Sequence, residues 1–349
     1  MAKKEGRSTV YNNITSPEKL AQVNPENIQL EKDFLDYLFS IDRAKSTIFQ
    51  YRNNLHVFWC WNLEFNQNKP FPKCVKRDFS RFQNHTMQVW GWSPKRIRTV
   101  RATLSSLSNF IETILDDEYE GYKPIVRKIE APANVSVRKK TIFEADELQA
   151  LLNYLVEHEE YMKACMLSLA MNSGRRKAEL PRFKVSYFSD ENLICEGALY
   201  KTPEKVTTKG RGSRGKELDI YVLAKPFKPY LDLWLKQRKQ LKIKSKWLFP
   251  LYKNGKWHDE QMNKASLDSW ANSFSRLLGK TFYWHSLRHY LTTALHQSNI
   301  PDTVIQNMIG WESTDMVNLY NDTPVEHEFD KYFGAEGIKK VKSSSLTEL

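Results

Sequence analysis

The sequence predicts a mainly helical protein of two domains, the second interrupted by a small antiparallel sheet. Three observations carry that expectation. Apolar residues recur at helical spacing through residues 28–122. The period returns near Glu144 and lapses between about 183 and 223, where "LICEG" and "ELDIYVL" lie around the glycine-rich "TTKGRGSRGK". Between the two helical regions, residues 123–143 ("KPIVRKIEAPANVSVRKKTIF") hold two prolines and six basic residues without any period, as a linker does.

Bulk properties set the limits. A chain of 349 residues can bury two cores, and 41% hydrophobic with 13% aromatic residues argues against disorder. Lys and Arg outnumber Asp and Glu 53 to 41, a net charge of +12 that favours polyanionic partners. Ribosomal or membrane-surface binding would share that balance. The four cysteines, Cys60, Cys74, Cys165 and Cys195, form no CxxC pair and read as reduced thiols rather than a zinc site. No apolar segment follows the basic N-terminus as in a signal peptide, and no run approaches eighteen apolar residues, which excludes a helical membrane span.

In chain order, residues 1–27 are polar, contain Pro17 and Pro25, and read as a flexible arm. Residues 28–122 form the first, helical domain. Leu30, Phe34, Leu38 and Ile41 mark one helix, and Ser46 reads as the cap of "TIFQYRNNLHVFWCWNLEF". Ser93 as N-cap and Pro94 at the first position open a helix whose stripe is Ile97, Val100, Leu104, Leu107, Ile111 and Ile114. Lys95, Arg96, Arg98 and Arg101 crowd its first two turns with no acid among them. Cations there oppose the helix dipole. Either a DNA backbone lies opposite, near Trp90 and Trp92, or this is a solvated basic face. After the linker, the second domain spans 144–324. It opens with "EADELQALLNYLVEH" and "YMKACMLSLAMNSG", and helices return at about 226–241, 264–278, 285–298, after Pro301 as far as Gly310, and at 313–322. In the tail, 325–349, Val325, Phe329, Tyr332 and Phe333 fall on one helical stripe that either folds back on its own domain or packs elsewhere.

Four separated signals then ask for one explanation. They are "MNSGRRKAEL", Lys209 in the glycine-rich hairpin, "HSLRH" with His285 and Arg288 one turn apart, and "IGWESTDMVNLYND" with Trp311 nine residues before Tyr320. In this order they resemble the tyrosine recombinase (phage integrase) family: GxRxxEL, a hairpin lysine, HxLRH, and LGH/W followed by tyrosine. The resemblance covers most of the chain. It implies that family's fold, a helical core-binding (SAM-like) DNA-binding domain before a mixed α/β catalytic domain, in the simple Cre/Xer-like layout without a separate arm-binding domain.

By position, the resemblance implies Tyr320 as nucleophile, Arg176 and Arg288 as the arginine pair, and Lys209 as general acid. His285 and Trp311 complete the catalytic set, with Glu179 and His289 in support. Arg176 is preferred to Arg175 because it stands three residues before Glu179. Trp311 departs from the commoner histidine, and an indole can only donate a hydrogen bond. The chemistry suits these residue types. Attack on a phosphodiester loads charge onto nonbridging oxygens, which two guanidiniums bind in forked geometry. Such an arginine can be worth roughly 10³–10⁵ in rate.

Energy stored in a 3′-phosphotyrosine link makes ATP unnecessary, and neither metal nor cofactor is expected. The implied partners are double-stranded DNA carrying specific recombination sites and further copies of the chain, as a tetramer exchanging strands through a Holliday junction. Accessory DNA-bending or directionality proteins are compatible with this reading; a membrane is not. In such an assembly the tail would pack into a neighbouring protomer. The expected location is cytoplasmic, on the nucleoid. A type IB topoisomerase or telomere resolvase would share the chemistry, and an inactive relative would share only the DNA binding.

Overall fold

Among the described residues, six α-helices build the first of two units into which the chain divides. The computed structural model describes residues 7–134, 141–208 and 215–323, with strand residues 333–334 and 337–338. The helices are α1 (Arg7–Ile14), α2 (Pro17–Leu20), α3 (Pro25–Ser40), α4 (Lys45–Phe65), α5 (Lys76–Gln88) and α6 (Pro94–Ile114). In α6, Ser93 Oγ accepts from Arg96 N, Pro94 takes the first position, and Ile97, Val100, Leu104, Leu107 and Ile111 are buried. Ile114, expected on the same stripe, is exposed at the frayed end. In α3, Leu30, Phe34 and Leu38 are buried, whereas Ile41 lies beyond the last turn and is exposed.

Of the segment expected as a flexible arm, the described residues 7–27 are mostly helical and packed. Pro17 and Pro25 are the opening prolines of α2 and α3, capped by the side chains of Ser16 and Asn24. Ile14 and Val23 lie in the core, and Asn24 donates from its backbone N to Asn68 Oδ1 and from Nδ2 to Asn68 O. The buried Glu31 carboxylate accepts from Trp59 Nε1 at 2.7 Å and lies 2.9 Å from His56 Nε2. His56 Nδ1 in turn lies 2.7 Å from Tyr11 Oη, which ties α1 to α3 and α4. Ser46 sits inside α4; the cap position belongs to Ala44, which makes no side-chain bond.

The expected linker is also partly claimed by this unit. Val126 is buried in its core within a short 3₁₀ turn, Val126–Lys128. Arg98 Nε donates to Pro132 O at 2.7 Å, and Arg101 donates to Gln83 Oε1 at 3.0 Å and to the carbonyls of Val126 and Ile129. The basic face of α6 therefore has neutral acceptors of its own unit against it.

The second unit centres on α8 (Tyr161–Ser173), buried without a break from Ala164 to Ser173. A helix apolar on all sides belongs inside a core. Around it lie α7 (Ala145–Glu157), α9 (Ala224–Gln240), α10 (Lys264–Leu278), α11 (Ser286–Gln297), α12 (Asp302–Ile309) and α13 (Asp315–Tyr320). The anticipated antiparallel sheet has the order β1 (Leu193–Ile194), β2 (Leu199–Lys201), β5 (Tyr221–Leu223). A separate ribbon pairs β3 (Val206–Thr208) with β4 (Lys216–Leu218). An unanticipated hairpin joins β6 (Pro250–Lys253) to β7 (Lys256–Gln261). Asn254 and Gly255 both take positive φ at its tip, as a two-residue turn demands. Phe333, expected on a helical stripe, instead lies in β8 (Phe333–Gly334), paired with β9 (Gly337–Ile338). Glycine in both strands disfavours the helix. Val325, Phe329 and Tyr332 lie outside the described residues. Among those described, no helix is long and apolar enough to cross a membrane.

Gly174 ends α8 at φ +58°, and a Cβ there would stand 2.7 Å from Ile309 Cδ1 and 3.2 Å from Leu291 Cδ2. Left-handed backbone strain and overpacking then add, each about 1–3 kcal/mol. Gly174→Ala should lower the thermal midpoint of the second unit by several degrees. A scanning-calorimetry midpoint unchanged from the parent would show that α12 gives way freely.

Candidate active site

Helix α11 enters the core through Leu287 and Leu291, both buried, and carries Arg288 inward with them. Arg288 has 0% exposure, unusual for a guanidinium, and its bonds explain how it is held. Nη1 donates to Gly174 O at 2.8 Å, and Nη2 donates to Ile309 O at 3.3 Å. Its Cζ lies 4.8 Å from the Trp311 ring centre and 5.9 Å from that of Tyr320. Its Nε is buried with no hydrogen-bond partner among the described residues.

Trp311 follows the left-handed Gly310 that ends α12, and its backbone N donates to Gln306 O. Its indole Nε1 is likewise buried without an acceptor. Helix α13, anchored by the buried Val317, presents Tyr320 as its last residue. Tyr320 Oη lies 2.7 Å from His285 Nε2. The Trp311 ring sits 4.9 Å away, and the His289 ring stacks on Tyr320 at 4.4 Å. His289 Nδ1 is 3.1 Å from Asp322 Oδ2, and Asp322 N donates to Thr293 Oγ1 of α11. Asp322 escaped the sequence reading; an acid two residues past the tyrosine was its signal.

The turn after Gly174 supplies the remaining charges. Arg176 donates from its backbone N and from Nη1 to the two oxygens of Glu179, each at 3.1 Å. Glu179 is buried, which favours its neutral form, yet Arg175 and Arg176 together hold its carboxyl below the usual range. For His285, burial first, then the charges of His289, Arg288 and Arg176, push the pKa down to about 4. Burial, followed by the charges of Arg175 and Arg176, brings Arg288 down to about 9. At neutral pH the site therefore pairs a neutral imidazole with charged guanidiniums.

The structure thus brings His285, Arg288, Trp311 and Tyr320 into direct contact, with Arg176 and Glu179 joined to them electrostatically. Lys209 lies outside the described residues, beyond the end of β3. Lys95, Arg96, Arg98 and Arg101 belong to the other unit. There Lys95 is exposed, while Arg96 donates to Asn54 Oδ1 at 2.7 Å and lies over Trp92. Among the described residues, no three His, Cys, Asp or Glu side chains converge to hold a metal ion.

Comparison with known proteins bears on the family and the fold. The chain is 29% identical over 282 residues to the SPbeta prophage-derived recombinase-like protein YomM of Bacillus subtilis (strain 168), covering 78% of this chain and 80% of that protein. Its fold is similar to the XerH site-specific recombinase bound to palindromic difH substrate, with a TM-score of 0.63 at 18% identity, covering 94% of this chain and 88% of that one. A lambda integrase tetramer bound to a Holliday junction gives a TM-score of 0.59 at 16% identity, covering 84% and 76%. The model of the phage integrase family matches residues 141–327, more than half of the 349-residue chain, and the protein belongs to that family, the tyrosine recombinases.

Proposed function

We propose that the protein cleaves and rejoins DNA at specific sites through a covalent 3′-phosphotyrosine at Tyr320. One observation carries this reading: the 2.7 Å approach of Tyr320 Oη to His285 Nε2, beside the buried Arg288. A phenol with an ordinary pKa of about 10 is a weak nucleophile at neutral pH. With the imidazole neutral and its proton on Nδ1, Nε2 accepts the phenol proton as Oη attacks phosphorus. The Oη–P bond forms, the bond from phosphorus to the 5′ oxygen breaks, and that oxygen leaves with a proton, supplied in this reading by Lys209. Attack by a 5′ hydroxyl on the phosphotyrosine reverses these steps and frees Tyr320. One ester is exchanged for another, so ATP is not needed.

Arg176 and Arg288 are assigned to the nonbridging oxygens. Support comes from the buried Arg288 Nε and Trp311 Nε1, two donors with no acceptor in the described protein. Each such orphan costs about 1–3 kcal/mol, which a phosphate oxygen would offset. Glu179 orients Arg176, and His289 with Asp322 backs the Tyr320 ring. In the first unit, Lys95, Arg96, Arg98 and Arg101 are assigned to the DNA backbone, the exposed Lys95 and Arg98 most directly, since Arg101 is taken up by Gln83 Oε1 and the carbonyls of Val126 and Ile129. The working assembly is a tetramer on two sites. Joining of two duplexes into a Holliday junction separates this reading from a topoisomerase.

Tyr320→Phe should abolish the denaturant-resistant DNA adduct on a nicked suicide substrate while leaving the gel shift intact. An adduct formed by the Phe variant would name another nucleophile. Lys209→Ala should slow cleavage by orders of magnitude on normal DNA and far less on DNA with a bridging 5′ sulfur, which leaves without a proton. Equal slowing on both substrates would turn attention to Lys201, Lys205 or Lys216.

His285 generates a pH prediction. Its folded pKa, about 4, lies below the ordinary 6.5 of the unfolded chain. Its contribution to stability is therefore present above about pH 6.5 and lost as pH falls towards 4. In DNA-free protein, NMR titration of the His285 ring should show a midpoint near 4. A midpoint near 6.5 would mean that the imidazole is already charged in mild acid and unsuited to accept the phenol proton.

A further inference from the structure

Arg175 carries no role in the proposed chemistry, yet its guanidinium is among the most buried in the protein, at 1% exposure. Nε donates to Ser173 O at 3.1 Å, and Nη2 donates to Met308 O at 2.9 Å and Ile309 O at 2.6 Å. Burial pushes its pKa down to about 10, with the Glu179 carboxylate opposing the fall. A buried cation is tolerated only where its hydrogen bonds are well made. The bonds here have a common target. Met308 and Ile309 end α12, and their carbonyls have no partner within that helix.

Ile309 O is also the acceptor of Arg288 Nη2, at the longer distance of 3.3 Å. One carbonyl therefore takes two guanidiniums, and the shorter bond is to Arg175. If a phosphate oxygen draws Arg288 Nη2 away, Ile309 O keeps its nearer donor. Trp311 begins two residues later and packs on Tyr320. We infer that Arg175 is a positioning residue. It holds the last turn of α12 so that Arg288 can exchange Ile309 O for the scissile phosphate while Trp311 and Tyr320 keep their places. The inference rests on the reading that Arg288 binds that phosphate.

Full-length Arg175→Lys, Arg175→Gln and Arg288→Lys, with the two double variants, test it by single-turnover cleavage of a nicked suicide duplex. A lysine keeps the charge but cannot span Ser173 O and both α12 carbonyls. The expected result, read at a temperature where each variant stays folded, is DNA affinity close to wild type with cleavage slowed at least tenfold. In the Arg288→Lys background, the Arg175 substitutions should add less than a twofold loss, because the exchange they protect is already impaired. Cleavage at the wild-type rate by Arg175→Lys overturns the inference. So does the same tenfold loss in both backgrounds, or a fall in melting point and DNA affinity parallel to the rate, either of which marks plain support of the fold. Should the substituted chains fail to fold, wild-type protein decides. On adding substrate DNA, the Arg288 side-chain ¹⁵Nε resonance should shift while that of Arg175 stays protected and unmoved; loss of Arg175 protection overturns the inference. A wild-type protein that forms no adduct removes the functional reading and this inference together, whereas active wild type with an equally active Arg175→Lys removes the inference alone.

Discussion

The guanidinium of Arg288, sealed inside the second unit, joins three stretches of chain that are distant in sequence. It rides on α11, donates to Gly174 O at the end of α8, and donates to Ile309 O at the end of α12. Taking a cation out of water is unfavourable unless its donors are met, so the three elements have little freedom to drift apart. Gly174 allows the close approach, since any side chain there would strike Ile309. Around the charge, Leu291, Ile305, Ile309, Trp311 and Val317 form one apolar cluster against which Tyr320 packs. The cluster sets the position of the tyrosine, and the guanidinium sets the position of the cluster.

The same burial decides the protonation of the site. Glu179 is the carboxylate that acts on Arg288 against the charges of Arg175 and Arg176, and with three guanidiniums to that one acid the potential around it is positive. That potential, added to the loss of water, keeps His285 neutral next to a phenol. A site of this kind favours an incoming anion and a proton acceptor together. Neither property belongs to one residue. Moving Arg288 to the surface would relax both, because solvent would screen the charge and rehydrate the imidazole.

The first unit shows how far local patterns reach. Helix α6 reads plainly, since Ser93, Pro94 and a stripe in threes and fours are all local signals. The N-terminal segment reads poorly because its polar composition masks two capped prolines, and because Ile14 and Val23 are buried by contacts far along the chain. Arg98 and Arg101 leave two readings open from sequence. Their acceptors are mostly backbone carbonyls at 126–132, and every residue type carries a carbonyl. The hairpin at 250–261 did have a local signal, Asn254-Gly255, but strands this short show too few alternating positions to stand out.

By itself the sequence determined the helical character, the place of the sheet and the order of the motif residues, because helical period, caps and turn glycines act over a few positions. It also set His285 and Arg288 one turn apart on a single helix. Only the tertiary structure decided that Arg175 and Arg176, adjacent in the chain, point to different tasks. Arg175 reaches carbonyls 133 and 134 residues away, while Arg176 stays with Glu179 three residues on. It alone decided that Asp322 stands behind His289 and that His285 is neutral, since burial and charge at a point depend on every segment that converges there.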